Sequence, residues 1–302
     1  MRIVFLGTPE FAVASLEALI EHQFNVVAVV TAPNKPSGRG LKLTPSPVKT
    51  CAEKHGIPVL QPIKLKDPDF IEELASFQAD LQFVVAFRML PEVVWNMPPL
   101  GTYNLHGSLL PKYRGAAPIH WAVMNGDLET GVTVFKLKHE IDTGDIILRK
   151  TISIGRAETT SEVHDRLMLI GAEALAESAK MIENQEINYL QQREEEVSLA
   201  PKLFKETCLI DWSQSTEIVY NKIRGLAYFP GAYFLFQGKT VKLFASKISP
   251  TSLQPGEIKE TDQKLLIGCL DGSLEILEIQ VEGKRKMEIG EFLRGNSGMF
   301  RT

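Results

Sequence analysis

The part of the chain before residue 190 alternates short apolar runs with helical patterns. "RIVFLG" is an apolar run that ends in glycine, which is typical of a buried parallel strand. "TPEFAVASLEALIEHQ" then has apolar residues three and four apart, which predicts a helix that starts at Pro9. The same alternation predicts the strands "NVVAVVT", "DLQFVVAF", "GTYNLH", "TGVTVFKL" and "GDIILRKTISI" and the helices "DPDFIEELASFQ", "APIHWAVMNGD" and "TTSEVHDRLMLIGAEALAESAKMIENQ". Strands that alternate with helices predict an α/β fold with a doubly wound, mostly parallel sheet of the Rossmann-like type.

The pattern changes near residue 190. "QQREEEVSLAPKLFKET" is polar and charged and contains a proline, which indicates an interdomain linker. Beyond it, one helical stretch, "STEIVYNKIRGLA", precedes the short strand patterns "AYFLF", "KTVKLFASKI", "KLLIGCL" and "SLEILEIQV", with turn signals between them. Short strands with turns predict a small, OB-like β-barrel. We therefore expect a catalytic domain at 1–189, a linker at 190–204 and a β-barrel domain at 205–302.

Composition limits the function classes. With 302 residues, 44% hydrophobic and 23% charged, the chain suits two globular domains. The net charge of -4 gives no general reason to bind polyanions, so any nucleic-acid surface must be local. The three cysteines, Cys51, Cys208 and Cys269, lack an evident metal or redox spacing, which favours buried, reduced thiols. The apolar run that ends at Gly7 is too short for a signal peptide or membrane helix, so we expect a cytoplasmic protein without a membrane partner.

Two polar side chains fall at the end of the strand "GTYNLH". Asn104 and His106 are two residues apart, so on a strand they lie on the same face. Open α/β sheets bind ligands at the carboxyl ends of their strands, and an amide beside an imidazole can hold a developing oxyanion. A histidine that is simply satisfied by backbone at a strand end explains the pattern equally well.

A turn with two carboxylates lies in "HEIDTGDII". Asp142 and Asp145 flank Thr143 and Gly144, which commonly indicates an ordinary Asx-turn hairpin. The alternative is that one carboxylate reaches His106 and favours its protonated form.

A long basic segment spans residues 33–49, "PNKPSGRGLKLTPSPVK". It contains Lys35, Arg39, Lys42 and Lys49 and no acidic residue, and its prolines and glycines predict an exposed loop. It can be a solvated surface loop or an arm that contacts RNA phosphates, and the pattern alone favours neither.

A resemblance to a known family then emerges. "NLHGSLLPKYRGAAPIHWAVMNGD" followed by "ETGVTVFKLKHEIDTGDII" resembles the folate-dependent formyltransferases. "RIVFLGTPEFA", "GRGLKLTPSPVK" and "IRGLAYFPGA" extend the resemblance over nearly the whole chain. The inserted basic loop and the second domain are similar to those of members that act on tRNA.

The resemblance implies that the formyl group of the co-substrate 10-formyltetrahydrofolate is transferred to the α-amine of initiator methionyl-tRNA. It implies a catalytic trio of Asn104, His106 and Asp142, and no metal. The implied folate-binding residues are Ser108, Leu109, Leu110, Pro111, Phe87, Arg88, Met89 and Leu90. Arg39 is implied in reading the tRNA acceptor end, and we add Lys35 and Lys42 of the same loop. "AFRML", within the pocket segment 86–91, departs from the family's usual segment, because it carries Arg88 and is one residue shorter.

Two other functions stay open at this point. A formyltransferase that acts on glycinamide ribonucleotide or on an amino sugar nucleotide would share the trio but leave the basic loop and second domain unexplained. A non-catalytic RNA-binding protein would leave Asn104, His106 and Asp142 unexplained. Domain 205–302 is expected to bind tRNA, and no stable protein partner is implied.

Overall fold

The structure is a computed structural model that describes residues 1–37, 42–227, 229–261 and 263–301. The strands are β1 (Arg2–Gly7), β2 (Asn25–Val30), β3 (Lys35–Ser37), β4 (Lys42–Thr44), β5 (Val59–Leu60), β6 (Leu81–Val85), β7 (Thr102–His106), β8 (Arg114–Gly115), β9 (Glu129–Lys136), β10 (Ile146–Ser153), β11 (Leu199–Ala200), β12 (Ala232–Phe236), β13 (Lys239–Ser249), β14 (Ile258–Glu260), β15 (Leu265–Cys269), β16 (Gly272–Val281) and β17 (Met287–Glu288). The helices are α1 (Glu10–Glu21), α2 (Pro47–Lys54), α3 (Pro68–Ser76), α4 (Glu92–Trp95), α5 (Pro118–Met124), α6 (Thr160–Glu183), α7 (Thr216–Gly225) and α8 (Ile289–Gly295).

Among the described residues, seven strands form one sheet in the order β10-β9-β7-β6-β1-β2-β5. β1 pairs in parallel with β2 and β6, β6 pairs in parallel with β7, and β9 runs antiparallel to β7. The chain first adds β2 and β5 on one side of β1 and then β6 and β7 on the other. Ligands in such sheets bind beside the carboxyl ends of the strands at this change of direction. The predicted doubly wound, mostly parallel sheet is confirmed.

The sheet is covered by apolar helix faces. Leu74 of α3 and Val94 of α4 pack with Val4, Leu6 and Val84 of β1 and β6, and all five side chains are buried. Each such side chain stabilises the fold by about 1.5–3 kcal/mol. Burial on both faces explains why the central strands are continuously apolar in sequence.

The segment 33–49 is only partly the loop that its prolines predict. Lys35 and Thr44 are paired in the short antiparallel hairpin of β3 and β4, and α2 begins at Pro47. The Ser46 hydroxyl accepts a hydrogen bond from the Lys49 N–H at 3.0 Å and therefore caps α2. The expectation of a loop is wrong for residues 47–49, because a proline in the first helical turn has no N–H to satisfy and favours helix initiation.

The second sheet is antiparallel and curled, in the order β12-β13-β16-β15-β14, with β17 paired to β16. Val219 and Ile223 of α7 pack against its apolar face, together with Phe292 of α8. The predicted β-barrel class is confirmed in the form of a half-barrel.

The chain forms two compact units. One comprises Met1–Gly115, Thr130–Ile152 and His164–Leu199, and the other comprises Ala116–Glu129, Ser153–Val163 and Ala200–Thr302. The division into 1–189, 190–204 and 205–302 stays a prediction. Every helix in the described ranges is too short or too polar to cross a membrane.

Candidate active site

The carboxyl end of β7 places Asn104 and His106 on the same face of the first sheet. Asn104 lies between Val84 of β6 and Phe135 of β9, and His106 is paired with Thr133. The imidazole of His106 is buried, whereas the Asn104 side chain is only partly buried. Within the described ranges the Asn104 amide makes no hydrogen bond, so its N–H groups are available to a ligand.

Backbone orients the His106 imidazole. Its Nε2 lies 2.8 Å from the Tyr113 carbonyl oxygen, and because a carbonyl only accepts, Nε2 must donate. Nδ1 is therefore the nitrogen left for chemistry. It lies 3.9 Å from Asp142 Oδ2, and the two side chains are only 7% and 12% exposed. Nδ1 therefore faces the Asp142 carboxylate within a pair that is almost closed to solvent.

Asp142 is held at both its side chain and its backbone. Its backbone has φ +56°, a left-handed conformation that aspartate tolerates better than most residues. Oδ2 accepts a hydrogen bond from the Gly115 N–H at 2.9 Å. Gln192 Nε2 donates to the carbonyl oxygens of Asp142 and Gly144, each at 2.8 Å. Asp145 instead pairs with Lys138 at 2.8 Å, so Asp142 is the carboxylate that reaches His106.

Gln192 is itself fixed by Arg114. The guanidinium donates to Gln192 Oε1 from Nε at 3.0 Å and from Nη2 at 2.9 Å, and it pairs with Glu194 at 2.9 Å. This pairing lowers the pKa of Glu194 through the hydrogen bond from Arg114. Ser198 adds two bonds, because its hydroxyl accepts from the Tyr113 N–H and its carbonyl from the Arg114 N–H, both at 2.9 Å. The segment that sequence indicates as a linker thus supports the Asp142 turn.

The loop after β7 is packed into the protein. The Ser108 hydroxyl is buried and donates to the Lys112 carbonyl at 2.6 Å, while Leu110 lies in a core cluster with Phe135 and Ile146. Thr133 Oγ1 donates to the Ser108 carbonyl at 2.7 Å and accepts from the Leu110 N–H at 3.1 Å. Leu109 remains partly exposed and Pro111 is buried. These contacts make the loop rigid, and they commit most of its side chains to the fold.

The second predicted folate segment follows β6. Leu90 is buried in the core, Phe87 is partly buried, and Met89 is 73% exposed. Arg88 reaches back to the carbonyl oxygens of Pro62 and Ile63, the latter at 2.8 Å, and its guanidinium lies over the Phe87 ring. Arg88 therefore fastens this segment to the chain after β5, and Phe87 and Met89 provide its accessible apolar surface.

The predicted tRNA-binding residues lie in and beside the hairpin. Lys35 is exposed on β3 and Lys42 begins β4, whereas Arg39 lies outside the described residues. In the second unit, Arg285 is paired with Glu291, and Lys286 with Glu278 at 2.8 Å. Their charges are therefore partly neutralised.

Sequence reasoning missed the groups that orient His106 and Asp142. These are the Tyr113 carbonyl, the Gly115 N–H, Arg114, Gln192 and Ser198. Two of them are backbone groups without any sequence signature. Arg114 and Gln192 are polar residues whose 78-residue separation gives no sign of contact.

The fold and this site define a class. The sequence profile of the formyl transferase family matches residues 1–178, and that of the formyl transferase C-terminal domain matches residues 202–297. The chain belongs to the formyl transferase family, whose members use folate.

Two relatives point to a particular branch. The chain is 50% identical to the methionyl-tRNA formyltransferase of Bacteroides fragilis, which covers 98% of this chain and 95% of that one. It is 49% identical to the methionyl-tRNA formyltransferase of Parabacteroides distasonis, with the same coverage. The N-formyltransferase from Helicobacter canadensis, solved in complex with folinic acid and dTDP-3-aminofucose, superposes with a TM-score of 0.71 at 20% identity, over 94% of this chain and 99% of that chain. At that identity the likeness concerns the fold alone.

Proposed function

We propose that this protein transfers the formyl group of 10-formyltetrahydrofolate to the α-amine of methionine esterified to initiator tRNA, as the names of its relatives indicate. The reaction would supply translation initiation in the cytoplasm. The observation that carries the chemistry is the Asn104–His106–Asp142 arrangement, with a free amide beside an imidazole that faces a carboxylate.

Asn104 and His106 stabilise the charge that develops on the formyl oxygen. An α-amino group has a pKa of about 8, so the attacking amine needs little activation and the protein must mainly position it and bind the oxyanion. The Asn104 amide donates from one side. His106 donates from Nδ1, because Nε2 is occupied by the Tyr113 carbonyl.

Asp142 keeps His106 able to donate and moves the proton. As the new carbon–nitrogen bond forms and the bond to N10 breaks, the amine must lose one proton and N10 must gain one. The Asp142 carboxylate, 3.9 Å from Nδ1, can accept the proton from the amine directly or through water. The imidazole can then pass a proton to N10. Proton number is conserved, and no metal enters this scheme.

The folate is held by the segments that follow β6 and β7. Their fit is supported by the apolar surface of Phe87 and Met89, which suits a flat pteridine ring, and by the rigid loop from Ser108 to Pro111. Leu110 is buried in the core, so its contribution is through the backbone. Arg88 and Leu90 contribute in the same way, since Arg88 is bound to carbonyl oxygens.

Lys35, Lys42 and Arg39 contact the phosphates of the tRNA, and domain 205–302 adds a further contact. Lys35→Ala should raise the KM for tRNA without changing the KM for the formyl donor. The slope of tRNA affinity against salt concentration, on logarithmic scales, should fall by about one, which corresponds to one lost phosphate contact. Lys66→Ala removes another exposed lysine and is the matched control. Equal effects of the two substitutions would contradict the proposed role of the hairpin.

Formyl transfer from 10-formyltetrahydrofolate tests the function directly. Initiator methionyl-tRNA, glycinamide ribonucleotide and an amino sugar nucleotide are compared as acceptors, and we expect transfer to the tRNA. Asn104→Ala should lower turnover about 100- to 1000-fold, as loss of an oxyanion donor does elsewhere. Asn184→Ala, at an exposed position after α6, should be silent. Preference for a small acceptor would refute the proposed substrate, and protection of the protein by tRNA without any transfer would indicate an RNA-binding protein.

A further inference from the structure

Three potential metal ligands converge where α1 packs against α2. Glu17 lies on α1, Cys51 lies on α2, and His55 is the residue that caps the end of α2. One ligand atom from each side chain lies within 4.8 Å of the other two. Cys51 and His55 are four residues apart, which places them on one face of the helix.

Cys51 is part of the buried face of α2, but its thiol and the polar atoms of Glu17 and His55 are uncommitted in the described ranges. Among the described residues, none of the three makes a side-chain hydrogen bond or an ion pair. Cys51 is buried, Glu17 is partly exposed and His55 is exposed, so the group opens to solvent on one side. The proposed formyl transfer uses none of them.

We propose that Glu17, Cys51 and His55 form a zinc site that joins α1 to α2. Zinc takes thiolate, imidazole and carboxylate ligands together, whereas magnesium and calcium prefer sites built from oxygen alone. Tetrahedral zinc with ordinary bond lengths requires donor atoms about 3.5 Å apart. The closing movement of about 1 Å is available by rotation of the Glu17 and His55 side chains, since neither is held by a partner.

Zinc binding replaces the thiol proton with a bond from sulfur to zinc, and that proton leaves to solvent. Water completes the fourth position on the exposed side. The site ties α2, and with it the preceding hairpin of β3 and β4, to α1. In the sequence, Cys51 and His55 alone are too few ligands to indicate a metal site, and Glu17 is not identifiable as a third ligand without the fold.

Cobalt titration of the metal-free full-length protein tests the proposal. We expect one equivalent of Co²⁺ to bind, to produce a thiolate-to-cobalt charge-transfer band, and to be displaced by Zn²⁺. His55→Ala should weaken affinity by more than about 100-fold, because even residues that only support a ligand are worth 10- to 100-fold. Glu17→Gln and Cys51→Ser should also weaken binding, and Cys51→Ser should abolish the band.

The controls separate this site from adventitious binding. His22→Ala removes an exposed histidine that caps α1, and Cys208→Ser removes another buried thiol, and both should bind like the wild type. Zinc should raise the melting temperature of the wild type but not that of His55→Ala. His55 is exposed, so this variant keeps the test valid if Cys51→Ser fails to fold. Cobalt binding without a thiolate band, or wild-type affinity in His55→Ala, would overturn the proposal.

Discussion

Asp142→Asn isolates the charge of the carboxylate from its role in the turn. Asparagine has nearly the same shape as aspartate. It keeps an oxygen that can accept the hydrogen bond that the Gly115 N–H donates to Asp142 Oδ2 at 2.9 Å in the wild type. The backbone carbonyl of residue 142 still accepts the hydrogen bond from Gln192 Nε2. Like aspartate, asparagine tolerates the left-handed φ of +56°. The turn should therefore stay in place, and the negative charge that faces His106 disappears.

The distance between the two groups sets the magnitude. At 3.9 Å, a carboxylate and an imidazolium interact by about 4 kcal/mol with an effective dielectric constant of 20, which corresponds to about 1000-fold in rate. The asparagine carbonyl dipole recovers part of this energy if it turns to Nδ1, and water reaches the 12% of Asp142 that is exposed. We therefore expect turnover to fall about 100- to 1000-fold, with the KM values for both substrates changed less than about threefold.

Steady-state formyl transfer, with each substrate varied in turn, measures this effect. Asp145→Asn is the matched control, because Asp145 lies in the same turn but pairs with Lys138 at the surface. An exposed ion pair contributes about 0–1 kcal/mol to stability, so Asp145→Asn should stay within a few-fold of the wild type. Turnover of Asp142→Asn within tenfold of the wild type, or an equal loss in Asp145→Asn, would refute the reasoning.

Gln192 and Gly144 support the Asp142 turn, and Cys269 is a buried thiol. Gln192→Leu removes the two N–H donors from the Asp142 turn and should lower turnover about tenfold with little change in the tRNA KM; a rise in KM alone would contradict this positioning role. Gly144→Ala should lower the free energy of unfolding in urea by about 3 kcal/mol or more, because a Cβ there would lie 1.6 Å from the Lys136 carbonyl oxygen. Gly295→Ala is the control: its Cβ meets no atom within 4 Å, so the free energy of unfolding should change by less than about 0.5 kcal/mol. Burial raises the pKa of Cys269 to about 11, so the folded state keeps a proton that the unfolded state loses, and the free energy of unfolding should fall as the pH rises from about 9 towards 11. Cys269→Ala should flatten that slope, and an unchanged slope would exclude Cys269 as its source.

Sequence patterns identify a helix or strand when the spacing of its buried side chains marks it. The buried strands and α6 show their periodicity directly, and they are present in the structure. Helix α2 is harder to predict, because Pro45 before it, Pro47 at its start and its short apolar face resemble a loop. The start of α2 depends on the Ser46 hydroxyl and on Pro47 at the first helical position, which are local signals that composition obscures.

Part of the candidate site can likewise be predicted from side chains, and part depends on backbone groups that sequence does not show. The spacing of Asn104 and His106 predicts that they share a face, and the resemblance adds Asp142, but neither specifies which imidazole nitrogen is available. That choice is made by the Tyr113 carbonyl, a backbone atom that any residue at this position would supply. The contact of Gln192 with the turn likewise depends on carbonyl oxygens, so side-chain patterns could not indicate it.

These backbone contacts suggest why the residues around 192–198 matter to chemistry that they do not perform. Asp142 is held by Gly115 on one side and Gln192 on the other, while Ser198 holds Tyr113, whose carbonyl orients His106. Both ionisable members of the trio therefore depend on one segment that follows α6. The proposed oxyanion site requires donors that need no reorganisation during the reaction, and these contacts from one segment hold His106 and Asp142 aligned at 3.9 Å. It follows that substitutions in this segment should affect turnover more than binding, because they loosen the alignment of His106 with Asp142 and leave the substrate contacts in place.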